Sequence, residues 1–159
     1  MGTDFQIARV MGIPIRLHWS LLVFFPLIAM RFAARMAPLQ NAWLWGLLLT
    51  GLLFISVALH ELGHALAGLL LGARTRDILL LPIGGAARME KMPRRPWQEL
   101  LLALAGPLVS LMLAMGGWLA AGVFYHSWGL QNAGQILATA AWINFWLALF
   151  NLLPSFPMD

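Results

Sequence analysis

The stretch FISVALHELGHALAGLLLG, residues 54–72, sets His60, Glu61 and His64 into an otherwise apolar run. Two imidazoles and a carboxylate are costly in such surroundings unless something binds them, because each gives up its water. On a helix, residues four apart share a face one turn from each other, so His60 and His64 can hold one metal ion between them. Glu61 stands beside the first imidazole, placed to take a proton from activated water rather than to bind the metal. The plain alternatives are a chance match and polar residues that merely hydrogen-bond helices together. Chance is disfavoured because a charged residue near a membrane helix centre costs roughly 2.5–3.5 kcal/mol to insert.

The His-Glu-x-x-His spacing is that of zinc metallopeptidases. A catalytic zinc usually has three protein ligands and an open water position, so two imidazoles are one short. The candidate lies in NLLPSFPMD, at residues 151–159. Pro154 and Pro157 cannot continue a regular helix and push their neighbours toward extended backbone. Irregular backbone at membrane depth is tolerated where protein buries it or it lines a cavity, which would carry Asp159 into a wet pocket; its plain alternative is a carboxylate reaching interfacial water. Asn144 and Asn151 share a helix face. Either can bond across helices or polarise a substrate carbonyl; the first role is favoured for Asn144, and the second is more open for Asn151. His18 and His126 fall at predicted helix ends, where an amphipathic ring is ordinary, and neither is assigned to the metal.

The elements that must position these residues belong to a membrane protein. Of 159 residues, 61% are hydrophobic and 10% charged, against about 25% charged in an average soluble chain. No Asp, Glu, Lys or Arg occurs between Leu100 and Met158, and Glu61 alone occurs between Met36 and Ala73. Each stretch is long enough for a span of about 20 residues. The predicted fold is an all-α membrane protein, a single core over 1–159 with about four transmembrane helices, near 17–35, 43–71, 97–125 and 136–153. Residues 1–16 read as an extended, interfacial lead-in. Leu17–Met30 is short enough for a signal-peptide core, but Arg31 and Arg35 can snorkel and the segment that follows makes a poor cleavage site, which favours a span. Between helices two and three, ILLLPIGGAA is too short to cross and carries Pro82, Gly84 and Gly85; it is predicted to be a strand or hairpin dipping toward the membrane.

The net charge of +4 is concentrated. Residues 73–97 hold six basic side chains against Asp77 and Glu90. A basic loop between apolar segments predicts the cytoplasmic side, so helices two and four run inward and carry their polar clusters to that side of the bilayer. It does not predict a nucleic-acid surface. With no cysteine, disulfides and thiolate-bound metals are excluded.

HELGH in a membrane helix, followed by LLPIGGAARME, ELLLALAGPLVSL and FNLLPSFPMD, resembles the site-2 protease family of intramembrane zinc metalloproteases. The opening IARVMGIPIRLHWS resembles the start of its prokaryotic branch, so the likeness covers nearly the whole chain. The resemblance implies one zinc held by His60, His64 and Asp159, the last matching the aspartate of the family's Asn-Pro-Asp-Gly segment, with Glu61 as catalytic base. It also implies a multi-pass protein of a prokaryotic cell membrane, cutting membrane-protein substrates in a locally unwound transmembrane segment, with room for a homo-oligomer. The family pattern runs on past the aspartate into further membrane segments and, in many prokaryotic members, paired CBS nucleotide-binding modules, so the sequence is expected to be part of a longer protease. The rival reading is a non-catalytic metal-binding membrane protein or metal transporter, which has no need of a base beside the ligand. A degenerate member acting as a partner subunit is disfavoured by the intact motif.

Overall fold

The computed structural model describes residues 4–37, 39–91, 95–126 and 130–153. Strands β1 (Asp4–Val10) and β2 (Ile13–His18) lead into helices α1 (Ser20–Arg35) and α2 (Ala42–Leu70). Strands β3 (Arg74–Leu81) and β4 (Gly84–Lys91) follow, then helices α3 (Pro96–Tyr125) and α4 (Gln131–Leu152). Helices α2, α3 and α4 are long and apolar enough to cross a membrane. The fourth expected span is not among them. α1 has 16 residues, about 24 Å at 1.5 Å per residue, short of a hydrocarbon core of about 30 Å.

The reason lies in the lead-in. Residues 4–18 form a hairpin, turned at Met11 and Gly12 with φ of 49° and 82°, the left-handed pair that suits a two-residue turn. β2 then pairs parallel with β3, Ile15 opposite Ile78 and Leu17 opposite Leu80. The β element expected only between helices two and three is therefore one half of a four-stranded sheet ordered β1-β2-β3-β4, and the all-α expectation is corrected to mostly helical with this sheet. Because Ile13–His18 are strand, α1 can begin only at Ser20.

The two faces of the sheet differ, as alternation requires. Ile13, Ile15, Ile78 and Leu80 are buried with Leu21, Phe54 and Val57, which fastens the sheet to α1 and α2. Asp77 on the other face is 1% exposed and accepts two 2.6 Å hydrogen bonds from Arg88, directly opposite it in β4. Those bonds raise the Arg88 guanidinium above its ordinary value. Arg16 of β2 and Asp4 of β1 extend the network at 3.9 and 3.8 Å, tying all four strands together. A bidentate pair on this buried carboxylate fixes the register of β4, where a one-residue slip would turn every side chain to the wrong face.

Small residues set the helix contacts. A Cβ at Gly46 would collide with the α1 backbone at Ala29, and one at Gly63 would meet Val109 of α3 at 2.8 Å. The β3–β4 hairpin lies along α2 with Gly85 against Val57 and Glu61, so its tip, where Ile83 is 96% exposed, reaches the level of the middle of α2.

Candidate active site

His60, Glu61 and His64 occupy adjoining turns of α2, and each is held from outside that helix. His60 is 1% exposed, and its Nδ1 lies 2.8 Å from Ser110 Oγ of α3. His64 Nδ1 donates to the backbone carbonyl of Leu102, also on α3, at 2.7 Å. Leu102, Gly106 and Ser110 recur every four residues, so one face of α3 supplies both partners. Gly106 completes that face: a Cβ there would collide with His64 Nε2, so only glycine lets the ring lie against the helix.

With both Nδ1 atoms engaged, the two Nε2 atoms face each other 3.3 Å apart. Two nitrogens each about 2.0–2.1 Å from one tetrahedral zinc are about 3.3–3.4 Å apart, so the imidazole pair fits such an ion as it stands. The partners on Nδ1 are what a metal-binding histidine needs to fix its tautomer and ring plane. Among the described residues no third His, Asp or Glu gathers with them into a metal-binding group. Asp159, the expected third ligand, lies outside the described residues.

Glu61 faces a different element. Its Oε2 accepts a 2.8 Å hydrogen bond from the backbone N–H of Ala87 in β4. Two residues earlier, Gly85 packs against it; a Cβ on Gly85 would lie 2.5 Å from Glu61 Cγ. Glu61 and His64 line a cleft of about 410 Å³ closed by Ala87 and Met89 of β4 and by Glu99, Leu102 and Ala103 of α3. That is within the usual size of a ligand pocket.

The two asparagines separate. Asn144 is buried and its amide donates to Ser56 of α2 at 2.8 Å, the cross-helix role. Asn151 is exposed and its amide donates to Leu147 O of its own helix at 2.7 Å, turned back rather than toward the histidines. The sequence alone assigns no site role to Ser110, Gly106 or the Ala87 amide, and it places Gly85 in a membrane-dipping strand without its contact to Glu61. The signals were a lone serine in an apolar helix and glycines inside regular elements, which mark close approach.

Helices of membrane-spanning length, one of them carrying a His-Glu-x-x-His turn braced between a helix and a sheet edge, define an integral membrane protein. The pattern of peptidase family M50 matches residues 48–129, and the chain belongs to that family. A zinc metalloprotease of Methanocaldococcus jannaschii is 37% identical over 159 residues, all of this chain and 44% of that protein. Stage IV sporulation protein FB of Bacillus subtilis is 32% identical over 108 residues, which are 67% of this chain and 35% of the relative. The chain thus spans less than half the length of these relatives. The solved site-2 protease from Methanocaldococcus jannaschii superposes with a TM-score of 0.71 at 35% identity, covering 98% of this chain and 67% of that one. The resemblance read from the motifs is borne out at the level of the family.

Proposed function

We propose that the chain is the core of an intramembrane zinc endopeptidase, hydrolysing peptide bonds in or beside the membrane segments of other proteins. The observation that carries this reading is the division of labour in one helical turn. Two Nε2 atoms converge at 3.3 Å with their Nδ1 atoms engaged on α3, while Glu61 is held apart by β4. Membership of a peptidase family and the names of the relatives support it.

In this reading His60 and His64 hold one zinc per chain, with Asp159 as third ligand. Bound zinc supplies Lewis acidity, polarising the scissile carbonyl and making water a nucleophile near neutral pH. Glu61 accepts the proton of the attacking water and passes it to the leaving amine. Asn151 is assigned to the developing oxyanion, which requires its amide to leave Leu147 O. A helical substrate keeps its carbonyls in its own hydrogen bonds, so it must unwind locally before β4 can bind it as an added strand. A carrier that only passes a metal has no use for a carboxylate held beside the ligands.

The basic residues of 73–97 support a cytoplasmic placement for that segment in a multi-pass protein of a prokaryotic cell membrane. α1, packed beside α2, then makes a partial fourth crossing. The reading is compatible with a homo-oligomer.

The test is metal analysis of the purified full-length protein. The parent should carry one zinc per chain, and His60→Ala with His64→Ala together should reduce it to background. Unchanged zinc in the double variant would overturn the assignment.

A further inference from the structure

Ala87 has a backbone amide on an open strand edge, and Glu61 is what takes it. In an antiparallel pair the hydrogen-bonded and non-hydrogen-bonded positions alternate, so a residue whose N–H faces away from its partner presents its C=O on that outer edge as well. Ala87 stands opposite Ile78 of β3, and its 2.8 Å bond to Glu61 Oε2 marks it as such a residue. Among the described residues β4 pairs with β3 alone. Its other edge fronts the cleft whose far wall is Leu102, Ala103 and Glu99 of α3. An unpaired edge of this kind is a template for one more strand, and the Ala87 N–H is a donor that the strand would need. The carboxylate therefore occupies the docking position.

Resting on the endopeptidase reading above, we propose that the Ala87 amide is a shared donor that couples substrate docking to release of the base. With the cleft empty, it holds Glu61. A substrate strand pairing with β4 brings its own carbonyl to that N–H, and the displaced carboxylate turns to the attacking water. Ala87 is thus a substrate-contacting residue that also positions the base. Selectivity for unwound segments follows, since a helical segment has no free carbonyl to offer. The exchange works against docking in the resting protein, because a carboxylate is a stronger acceptor than a peptide carbonyl.

The test is binding without turnover. The full-length protein, treated with a chelator so that no variant cleaves, is titrated against a fluorescent single-span peptide in detergent micelles. The peptide's apolar stretch is interrupted by an Asn-Pro pair, and binding is read by anisotropy. Glu61→Ala leaves the Ala87 amide free, whereas Glu61→Gln keeps an acceptor on it. Glu61→Ala should bind about three- to tenfold tighter than Glu61→Gln, the value of one hydrogen bond. Equal affinities would overturn the proposal. Glu61→Asp keeps the charge but draws the oxygens back by one methylene, and it should bind like Glu61→Ala; affinity equal to the parent's would mean that charge, not the bond, controls docking. Ala87→Pro removes only the donor, and proline is tolerated where a strand N–H faces outward. It should cancel the gain in the Glu61→Ala background and change the Glu61→Gln background little, so equal weakening of both would also overturn the idea. The readout needs neither zinc nor cleavage. Failure here leaves the endopeptidase reading standing, whereas a parent that never cleaves overturns that reading and the release of a base with it, a result distinct from the binding difference measured here.

Discussion

Helix α3 and strand β4 flank the same turn of α2 and support different members of the motif. α3 approaches through Gly106 and engages the imidazoles, with Ser110 on His60 and the Leu102 carbonyl on His64. β4 approaches through Gly85 and engages the carboxylate, with the Ala87 amide on Glu61. In both places a missing Cβ allows contact and a polar group one or two turns or residues away fixes an orientation. The difference is in kind: α3 is a long helix packed within the bundle, while β4 is a sheet edge beside an open cleft. Metal holding is assigned to the rigid neighbour and proton transfer to the neighbour that a substrate can reach. The two supports should then be separable by mutation.

The largest expected effect is on the β4 side. Gly85→Val places a branched side chain where Glu61 Cγ lies, 2.5 Å from the ideal Cβ, and must push the carboxylate out of place. Cleavage should fall by about 10²–10⁴-fold, the usual worth of a positioned general base, with zinc content unchanged. Metal analysis beside a cleavage assay checks this; loss of zinc would show that the supports are not separate. A smaller effect is expected on the α3 side. Ser110→Ala removes the partner of His60 Nδ1, and zinc affinity should fall about 10–100-fold, as it does when such an orienting partner is lost. Activity should return at saturating zinc, because Glu61 and Ala87 are untouched. A permanent loss of turnover with zinc restored would contradict the division.

The motif turn was legible because its residues are close in sequence and conspicuous in an apolar run. The α3 partners were half legible. Ser110 and Gly106 stand out in a helix otherwise rich in Leu, Ala and Met, yet nothing in their spacing says which side of α2 they face. The Ala87 amide was not legible at all, since a backbone N–H has no signature and its exposure depends on which strands pair. The fold divided in the same way. The spans α2, α3 and α4 follow from local hydropathy, whereas the parallel pairing of β2 with β3 joins residues separated by two helices. That pairing claims Ile13–His18 for the sheet and leaves α1 too short to be counted as a span. α4 likewise begins at Gln131 rather than near Ile136, because its uncharged polar start, Gln131 to Gln135, is helical. Asn151 could be placed on a helix face from the sequence, but its bond to the Leu147 carbonyl could not.

The central claim, that Glu61 is the base of a hydrolase and not a companion of a carried metal, is met most directly by Glu61→Gln in the full-length protein. Glutamine keeps the size of the side chain and can still accept from Ala87, but it cannot take a proton from water. It also removes a charge from membrane depth, so the variant should fold no less well than the parent. Zinc content and cleavage of a membrane substrate carrying helix-breaking residues are measured on the same preparation. The account predicts one zinc per chain retained and cleavage reduced by about 10²–10⁴-fold. Cleavage as fast as the parent's, with zinc in place, would contradict it and leave the metal-carrier reading as the better one.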